Sequence, residues 1–222
     1  MNLNKHIKFF DPINSIGAPI HIIGCGAIGS TLAEMLVRMG VPKLHLYDFD
    51  TVSEHNIANQ MFTTYDIGLL KTYALDEMLR AINPAIKIVN SHKGYINQVL
   101  SGYVFLCVDN IDLRREIVEA QQYNPNIKAM FDFRMRLTDA QHYAADFSDL
   151  KSIKEFLSSM QFTHEEAKQA TPTNACGTSM NIIPTVRVIC SLGLSNFINF
   201  VKEGNLKKMI LIDAFHFIFD VF

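Results

Sequence analysis

A glycine-rich turn between an apolar strand and a helix limits the fold of this chain more than any other feature. Residues 19–23 are typical of a short buried strand, and residues 27–39 of a helix with apolar side chains at helical spacing. Gly24, Gly26 and Gly29 lie at the junction in the pattern G-x-G-x-x-G. Such a loop binds a nucleotide phosphate at a helix N-terminus, where free N–H groups and the helix dipole attract negative charge. A tight turn without a ligand is the alternative explanation of the glycines.

Polar residues after the second strand indicate which nucleotide is bound. Asp48 follows the strand 43–47, where a carboxylate can accept hydrogen bonds from ribose hydroxyls. Asp50 belongs either to this site or to a turn cap. Lys71 begins a helix, and the helix dipole disfavours a cation at this end. Either an anionic ligand or a side chain that extends into solvent would explain a lysine at this position. A hydride-transfer enzyme needs the ribose-binding acid but has no evident use for Asn56 and Lys71.

A second carboxylate follows another strand at the same edge of the predicted sheet. Asp109 comes directly after the apolar strand 103–108 and, beside a triphosphate, is well suited to hold Mg²⁺. The alternative role is a cap for the helix 112–123, which Asn110 can also provide. Three charged residues end a further strand and either face the substrate or form an ion-pair cluster: Asp132, Arg134 and Arg136.

The four cysteines have no paired spacing, so the sequence predicts neither a disulfide framework nor a zinc site. Cys25, Cys107 and Cys190 lie in apolar surroundings and are interpreted as small core residues. Cys176 differs because it precedes a long apolar helix, whose N-terminus would favour the reactive thiolate. It is the candidate nucleophile, with a purely structural role as the alternative.

Strands and helices alternate along the first 131 residues, which is typical of a parallel sheet covered on both faces. We therefore predict an α/β fold that is Rossmann-like and doubly wound, with a mostly parallel sheet and antiparallel C-terminal strands. Residues 147–180 form a polar excursion with only a weak helical pattern at 150–160. The last strand, 216–222, is expected to be buried. The length of 222 residues favours a single domain, 1–222.

Composition excludes several partners. The net charge is −2 and both signs are scattered, so nothing indicates binding to DNA or to an anionic membrane surface. The longest apolar stretch, 182–200, contains Pro184, Arg187 and Asn196, which we expect to interrupt a membrane span. Residues 1–8 lack the apolar core of a signal peptide. A cytoplasmic protein is expected.

Taken together, these motifs resemble the ThiF/MoeB/HesA family, whose adenylating fold is shared with ubiquitin-activating enzymes. The similar stretches cover most of the chain from about residue 19 onward. They are 22–29, 47–52, His55 with Asn56, Asn59 with Gln60, 66–68 with Lys71, 83–84, Asp109 and Asn110 with Arg114, Cys176 with Gly177, and 211–214.

The resemblance implies that the protein activates a carboxylate with ATP as an acyl-adenylate and releases pyrophosphate. The substrate would be the C-terminus of a ubiquitin-like or sulfur-carrier protein or a peptide, or a modified tRNA base carrying a carboxylate. Asn56 and Lys71 would position the phosphates, Asp109 would hold Mg²⁺, and Cys176 would accept the acyl group. The rest of the implied cofactor site is Gly24, Gly26, Gly29, Asp48, Asp50, Gln60, Asn110 and Arg114. A homodimer is also implied, and no zinc.

Two other functions compete with this one. A non-catalytic nucleotide-binding or partner-docking subunit of an activating-enzyme complex is favoured by Asn59, which stands where the family usually has an arginine. No N-terminal arginine is present either, and Lys5 and Lys8 are the nearby cations. An NAD-dependent oxidoreductase would explain the glycine loop and Asp48 alone, but it lacks a recognisable proton-transfer pair.

Overall fold

One mixed sheet organises the part of the chain that the computed structural model describes, residues 1–173 and 180–222. The strands found there are β1 (Ile20–Ile23), β2 (Lys43–Tyr47), β3 (Lys87–Ser91), β4 (Gly102–Leu106), β5 (Ile127–Met135), β6 (Asp139–Asp146), β7 (Met209–Asp213) and β8 (Ile218–Val221). The α-helices there are α1 (Pro12–Ser15), α2 (Ala27–Arg38), α3 (Lys71–Ile82), α4 (Ile111–Gln121), α5 (Leu150–Ser158), α6 (His164–Ala170) and α7 (Ile183–Glu203).

The strand order creates a switch point beside the glycine loop. The order is β3-β2-β1-β4-β5-β6-β7-β8, with parallel pairing from β3 to β5 and antiparallel pairing from there to β8. The chain therefore winds outward from β1 to β3 and then crosses back to place β4 on the other side of β1. Ligands of open α/β sheets bind outside the carboxyl ends of the strands at such a point.

Helices cover both faces of the sheet, each over its own apolar core. One core joins the sheet to α2, α3 and α7 and includes Leu32, Leu75 and Ile189. The other joins it to α4 and α5 and includes Ile117 and Phe156. The predicted fold class, doubly wound with antiparallel C-terminal strands, is confirmed.

The polar excursion contains more regular structure than its composition suggested. α5 and α6 lie inside it, and Ile153, Phe156 and Met160 from this stretch are buried in the second core. Thr163 and Glu166 form a capping box at the start of α6. The sequence signature S/T-x-x-E marks such a helix start, so this helix was detectable from the sequence.

α7 is one continuous helix of 21 residues, with Pro184 in its first turn. Proline is tolerated in the first turn of a helix, because the missing N–H would have no intrahelical partner there. By length and mean hydropathy alone α7 could cross a membrane, but half of its most apolar window is buried inside the protein. It packs against α2 and the sheet.

Two strands differ from their predicted form. β5 extends to Met135, which places Asp132 inside the strand and not after its end. The expectation that the last strand is buried is wrong, because all four residues of β8 are exposed. β8 pairs only with β7 and forms an edge of the sheet.

A buried histidine makes the stability of this fold depend on pH. His142 of β6 donates from Nδ1 to the Asp132 carbonyl at 3.1 Å and accepts at Nε2 from Asn196 at 3.1 Å. The ring packs between Phe131 and Phe133. Burial lowers the pKa of His142 from 6.5 to about 4.

We expect the free energy of unfolding to fall as the pH is lowered from 6.5 to about 4, because only the unfolded chain takes up the His142 proton in that window. One such proton changes the unfolding free energy by about 1.4 kcal/mol per pH unit. In chemical denaturation, the difference in unfolding free energy between wild type and His142→Gln should be constant above pH 7 and should become smaller below pH 6.5. A difference that stays constant down to pH 4 would contradict the lowered pKa of His142.

Candidate active site

A cleft of about 580 Å³ lies at the carboxyl edge of the sheet, over the switch point between β1 and β4. Residues that follow β1, β2 and β4 line one end of it, and residues of β5, β6 and α6 line the other. The predicted site residues that line this cleft are Gly24, Gly26, Asp48, Asp50, Gln60, Lys71, Asp109 and Arg114. The fold therefore brings together residues separated by 90 positions in the sequence.

The three glycines of the loop have different structural roles. Gly24 has a φ of +96°, and a Cβ there would lie 2.7 Å from backbone atoms of Cys107 and Val108. A Cβ on Gly29 would overlap the carbonyl group of Gly24. Gly26 differs, since a Cβ on it would meet only the Gln60 amide nitrogen at 4.0 Å. Two glycines thus permit close packing, and the third leaves space in the cleft.

Gly26 also marks an open helix N-terminus. It is the N-cap of α2, and it offers no side-chain oxygen to the free N–H groups of the first turn. Those N–H groups and the dipole of a 12-residue helix attract an anion. This end of the cleft is therefore built to receive a phosphate.

Asp48 ties the end of β2 to the glycine loop. Its Oδ2 accepts a hydrogen bond from the Cys25 N–H at 2.6 Å, and its Oδ1 accepts one from the Asp50 N–H at 2.8 Å. Burial raises the pKa of Asp48, although these two donors and Lys71 oppose the rise. Each carboxylate oxygen retains a second lone pair. Asp48 can therefore accept a further hydroxyl donor from the cleft.

Lys71 is a buried cation at the start of α3, only 7% exposed. Its Nζ lies 2.8 Å from Oδ2 of Asp50, whose side chain is half exposed. The partner of this unusually placed lysine within the described chain is thus Asp50, which explains Asp50 better than a turn cap does. The pair sits in the cleft wall.

Asp109 and Asn110 have separate roles at the end of β4. Asn110 accepts hydrogen bonds from the N–H groups of Asp112 and Leu113 and caps α4, and it does not line the cleft. Asp109 is exposed in the cleft and forms no ion pair with the described residues. Because Asn110 caps the helix, Asp109 is left available for a ligand.

Arg114 braces this edge of the sheet from within. Its guanidinium donates to the carbonyls of Val108 and Phe133 and to the carboxylate of Asp132. Arg134 donates to the same carboxylate at 2.6 Å. Burial would raise the pKa of Asp132, but the two guanidiniums outweigh it and hold the pKa below its ordinary value. Asp132 and Arg134 thus form an ion pair, one of the two roles expected for them, whereas Arg136 pairs with Asp139, and both arginines also line the cleft. Arg114 supports the backbone next to Asp109.

Nearly the whole chain matches the model of a known family. A model of the ThiF family matches residues 17–221. The chain belongs to the ThiF family. The resemblance inferred from the motifs is thus confirmed.

Individual ThiF relatives show partial similarity. Mouse ubiquitin-like modifier-activating enzyme 5 is 34% identical over 116 residues, which is 44% of this chain and 29% of the relative. The structure of PaaA superposes with a TM-score of 0.72 at 14% identity, covering 94% of this chain and 64% of PaaA. E. coli MccB with ATP superposes with a TM-score of 0.66 at 19% identity, covering 94% of this chain and 64% of MccB. The microcin C7 biosynthetic enzyme MccB with N-formylated MccA superposes with a TM-score of 0.67 at 18% identity, covering 94% and 65%. The chain thus spans under a third of the curated relative.

Two predicted site residues, and the position of the usual ThiF arginine, lie on the loop after β2. Asn56 is buried, its Oδ1 accepts from the N–H and hydroxyl of Ser53, and it does not line the cleft. Gln60 lines the cleft, and its buried Oε1 has no hydrogen-bond partner among the described residues. Asn59, at the position of the family arginine, donates to Asn181. A phosphate contact by Asn56 stays a prediction.

The cysteines divide as expected where the structure describes them. Cys25 and Cys190 are fully buried, and Cys107 is partly buried against the first core. Burial raises the pKa of all three thiols, which disfavours the reactive thiolate. Cys176 lies outside the described residues.

The sequence interpretation missed the part of the far wall of the ThiF cleft that α6 provides. Phe162, His164 and Lys168 line it, and they come from α6 and the residues just before that helix. Their approach to the sheet depends on packing between α4 and α6, which no local pattern specifies. Only the capping box of α6 gave a sequence signal.

Proposed function

We propose that this protein is an ATP-dependent adenylyltransferase that activates the C-terminal carboxylate of a peptide or a ubiquitin-like protein. The observation that carries the proposal is the open N-terminus of α2 at Gly26, which faces the same cleft as Asp48, Lys71 and Asp109. The relatives support it, since one is a ubiquitin-like modifier-activating enzyme and MccB has been solved with ATP and with N-formylated MccA.

In this proposal each cleft residue contacts a defined part of ATP. The first turn of α2 and Lys71 hold phosphate oxygens, and Asp48 accepts from the ribose hydroxyls. Lys71 shares its ammonium between Asp50 and the phosphates, since it has three donors. One substrate carboxylate oxygen attacks the α-phosphorus, and the bond from that phosphorus to the leaving pyrophosphate breaks. The residues act by positioning and by stabilising charge, so no proton transfer is needed.

The cleft also fits Mg²⁺ bound together with the triphosphate. Mg²⁺ binds through one or two carboxylates plus substrate phosphates and keeps several waters, so a single free carboxylate suffices. Asp109 meets this requirement, because it is exposed in the cleft and unpaired within the described residues. Mg²⁺ held there would neutralise charge on the leaving pyrophosphate.

The test of this assignment is Asp109→Asn, examined by titration calorimetry with ATP. We expect ATP to bind at least about tenfold more weakly in the presence of Mg²⁺ and with unchanged affinity when EDTA is present. Glu116→Gln is the matched control, since Glu116 is an exposed acid of α4 that does not line the cleft. An equal loss with and without Mg²⁺ would contradict a metal role. Titration with NAD tests the oxidoreductase alternative.

We also propose that Cys176 accepts the activated acyl group from the adenylate. The sulfur attacks the acyl carbon, AMP leaves, and the thiol proton passes to solvent. Cys176→Ala should then keep ATP–pyrophosphate exchange and lose any protein adduct that a thiol reductant releases. An adduct that persists in Cys176→Ala, seen by mass spectrometry, would show that this residue is not the acceptor.

A non-catalytic subunit is the second candidate function. Asn59, which replaces the family arginine, is neutral and donates to Asn181, so this position offers no cation to a phosphate. ATP binding without pyrophosphate exchange, for every C-terminal peptide and ubiquitin-like partner offered, would favour this function over adenylation.

A further inference from the structure

The far end of the cleft, formed by β5, β6 and α6, carries an excess of positive charge. The Asp132 carboxylate is shared by the guanidiniums of Arg114 and Arg134, so that buried group retains one positive charge. Arg136 is paired with Asp139 at 3.0 Å and adds none. A group with unbalanced charge in partly desolvated surroundings exerts a stronger field than it would in water.

Lys168 adds a second positive charge to this end. It lies on α6, lines the cleft, and forms no ion pair with the described residues. The nucleotide end contains three carboxylates, Asp48, Asp50 and Asp109, against the cations Lys71 and Lys93. The two ends thus differ in sign, and the far end attracts an anion.

An unpartnered group and an aromatic wall lie at the same end. His164 lines the cleft, and its Nδ1 is inaccessible to solvent yet has no hydrogen-bond partner among the described residues. A buried nitrogen without a hydrogen bond costs free energy, unless a ligand supplies the missing partner. Phe162 lies beside it with the Arg134 guanidinium 5.6 Å from the ring centre, which gives a surface for the apolar part of a side chain.

We propose that this end of the cleft selects a substrate tail that carries an aspartate or glutamate side chain shortly before its activated C-terminus. The proposal rests on the proposed adenylation, which places the reacting carboxylate near the glycine loop. Arg134 is on β5, two strands from β1, which is about 10 Å across the sheet. An extended peptide covers about 3.4 Å per residue, so the acidic residue would lie roughly three residues before the C-terminus.

The test is affinity selection from a library of peptides with free C-termini and randomised last six positions, in Mg²⁺ with a non-hydrolysable ATP analogue. Wild type should enrich Asp or Glu about fivefold at one position, the ratio that an ion pair of about 1 kcal/mol gives. Lys168→Gln, which leaves one positive charge at this end, should weaken this enrichment, and Lys168→Glu, which leaves none, should abolish it. Lys154→Glu, an exposed charge reversal on α5 outside the cleft, should behave as wild type.

Selection of no acidic residue by wild type, including recovery of no peptide, would overturn the proposal. The same enrichment in Lys168→Glu as in wild type would also overturn it. The selected peptides are then synthesised and assayed for ATP–pyrophosphate exchange. If the selected peptides share an acidic residue but support no ATP–pyrophosphate exchange, the proposed adenylation is refuted. The proposed selection of an anion by this end of the cleft would still hold.

Discussion

Asp132→Asn should lower the free energy of unfolding by about 3 to 5 kcal/mol, the cost of leaving a buried charge without its partner. Asp132 is fully buried and the side chains of Arg114 and Arg134 are 7% and 12% exposed. The neutral amide keeps the shape of the carboxylate but leaves two guanidiniums without a counter-ion. Chemical denaturation of wild type and variant measures the difference.

Asp139→Asn is the matched control for this prediction. It removes a carboxylate from Arg136 in a pair whose side chains are 46% and 36% exposed. Exposed pairs contribute little, so the change should stay within about 1 kcal/mol. If both substitutions lowered the free energy of unfolding equally, burial of the Asp132 cluster would not be the main cause of the loss.

Asp132→Asn should also affect nucleotide binding. Because Arg114 holds the Val108 carbonyl beside Asp109, a folded Asp132→Asn should bind Mg²⁺-ATP more weakly than wild type.

Gly29→Ala should destabilise the protein by about 3 kcal/mol or more, because the added methyl overlaps backbone that cannot move aside as a side chain would. The new Cβ would lie within 2.9 Å of the Gly24 carbonyl carbon and 3.2 Å from Ile22. Relief requires α2 to shift away from the loop after β1. Thermal and chemical denaturation report the loss.

Gly26→Ala separates the packing role of these glycines from the binding role. Gly26 has a negative φ, and its Cβ would meet only the Gln60 amide at 4.0 Å, so stability should be close to that of wild type. The methyl instead stands where a phosphate would approach, and ATP affinity should fall on the order of tenfold. Full ATP affinity in a folded Gly26→Ala would mean that nucleotide does not bind at this helix end.

Local sequence patterns were sufficient to predict the glycine loop and the elements around it. The spacing of Gly24, Gly26 and Gly29 between an apolar strand and a helix limits the backbone to one kind of turn. The alternation of strands and helices then predicts a doubly wound sheet, as observed. Asp48 and Asp109 follow their strands directly, and parallel strands end at one edge, so their meeting at the cleft follows from order alone.

The tertiary structure decided the partners of the polar side chains. Lys71 and Asp50 are 21 residues apart, and Arg114 and Asp132 are 18 apart, so no periodic pattern links them. Each pair forms because at least one of its side chains is buried in the tertiary structure, where a charge without a partner costs too much free energy. The sequence also left two roles open for Asp109, a cap for α4 or a contact to a ligand. The structure decided between them, because Asn110 caps α4.

The sequence by itself determined that a glycine-rich turn of the kind that binds phosphate lies at the edge of a parallel sheet, because strand order and glycine spacing are local properties. Only the tertiary structure decided which strand is exposed and what closes the far side of the cleft. β8 is exposed because it lies at the edge of the sheet and packs mainly on β7, and α6 reaches the cleft by packing on α4. Both depend on contacts between distant segments, whose energies no short stretch of sequence contains.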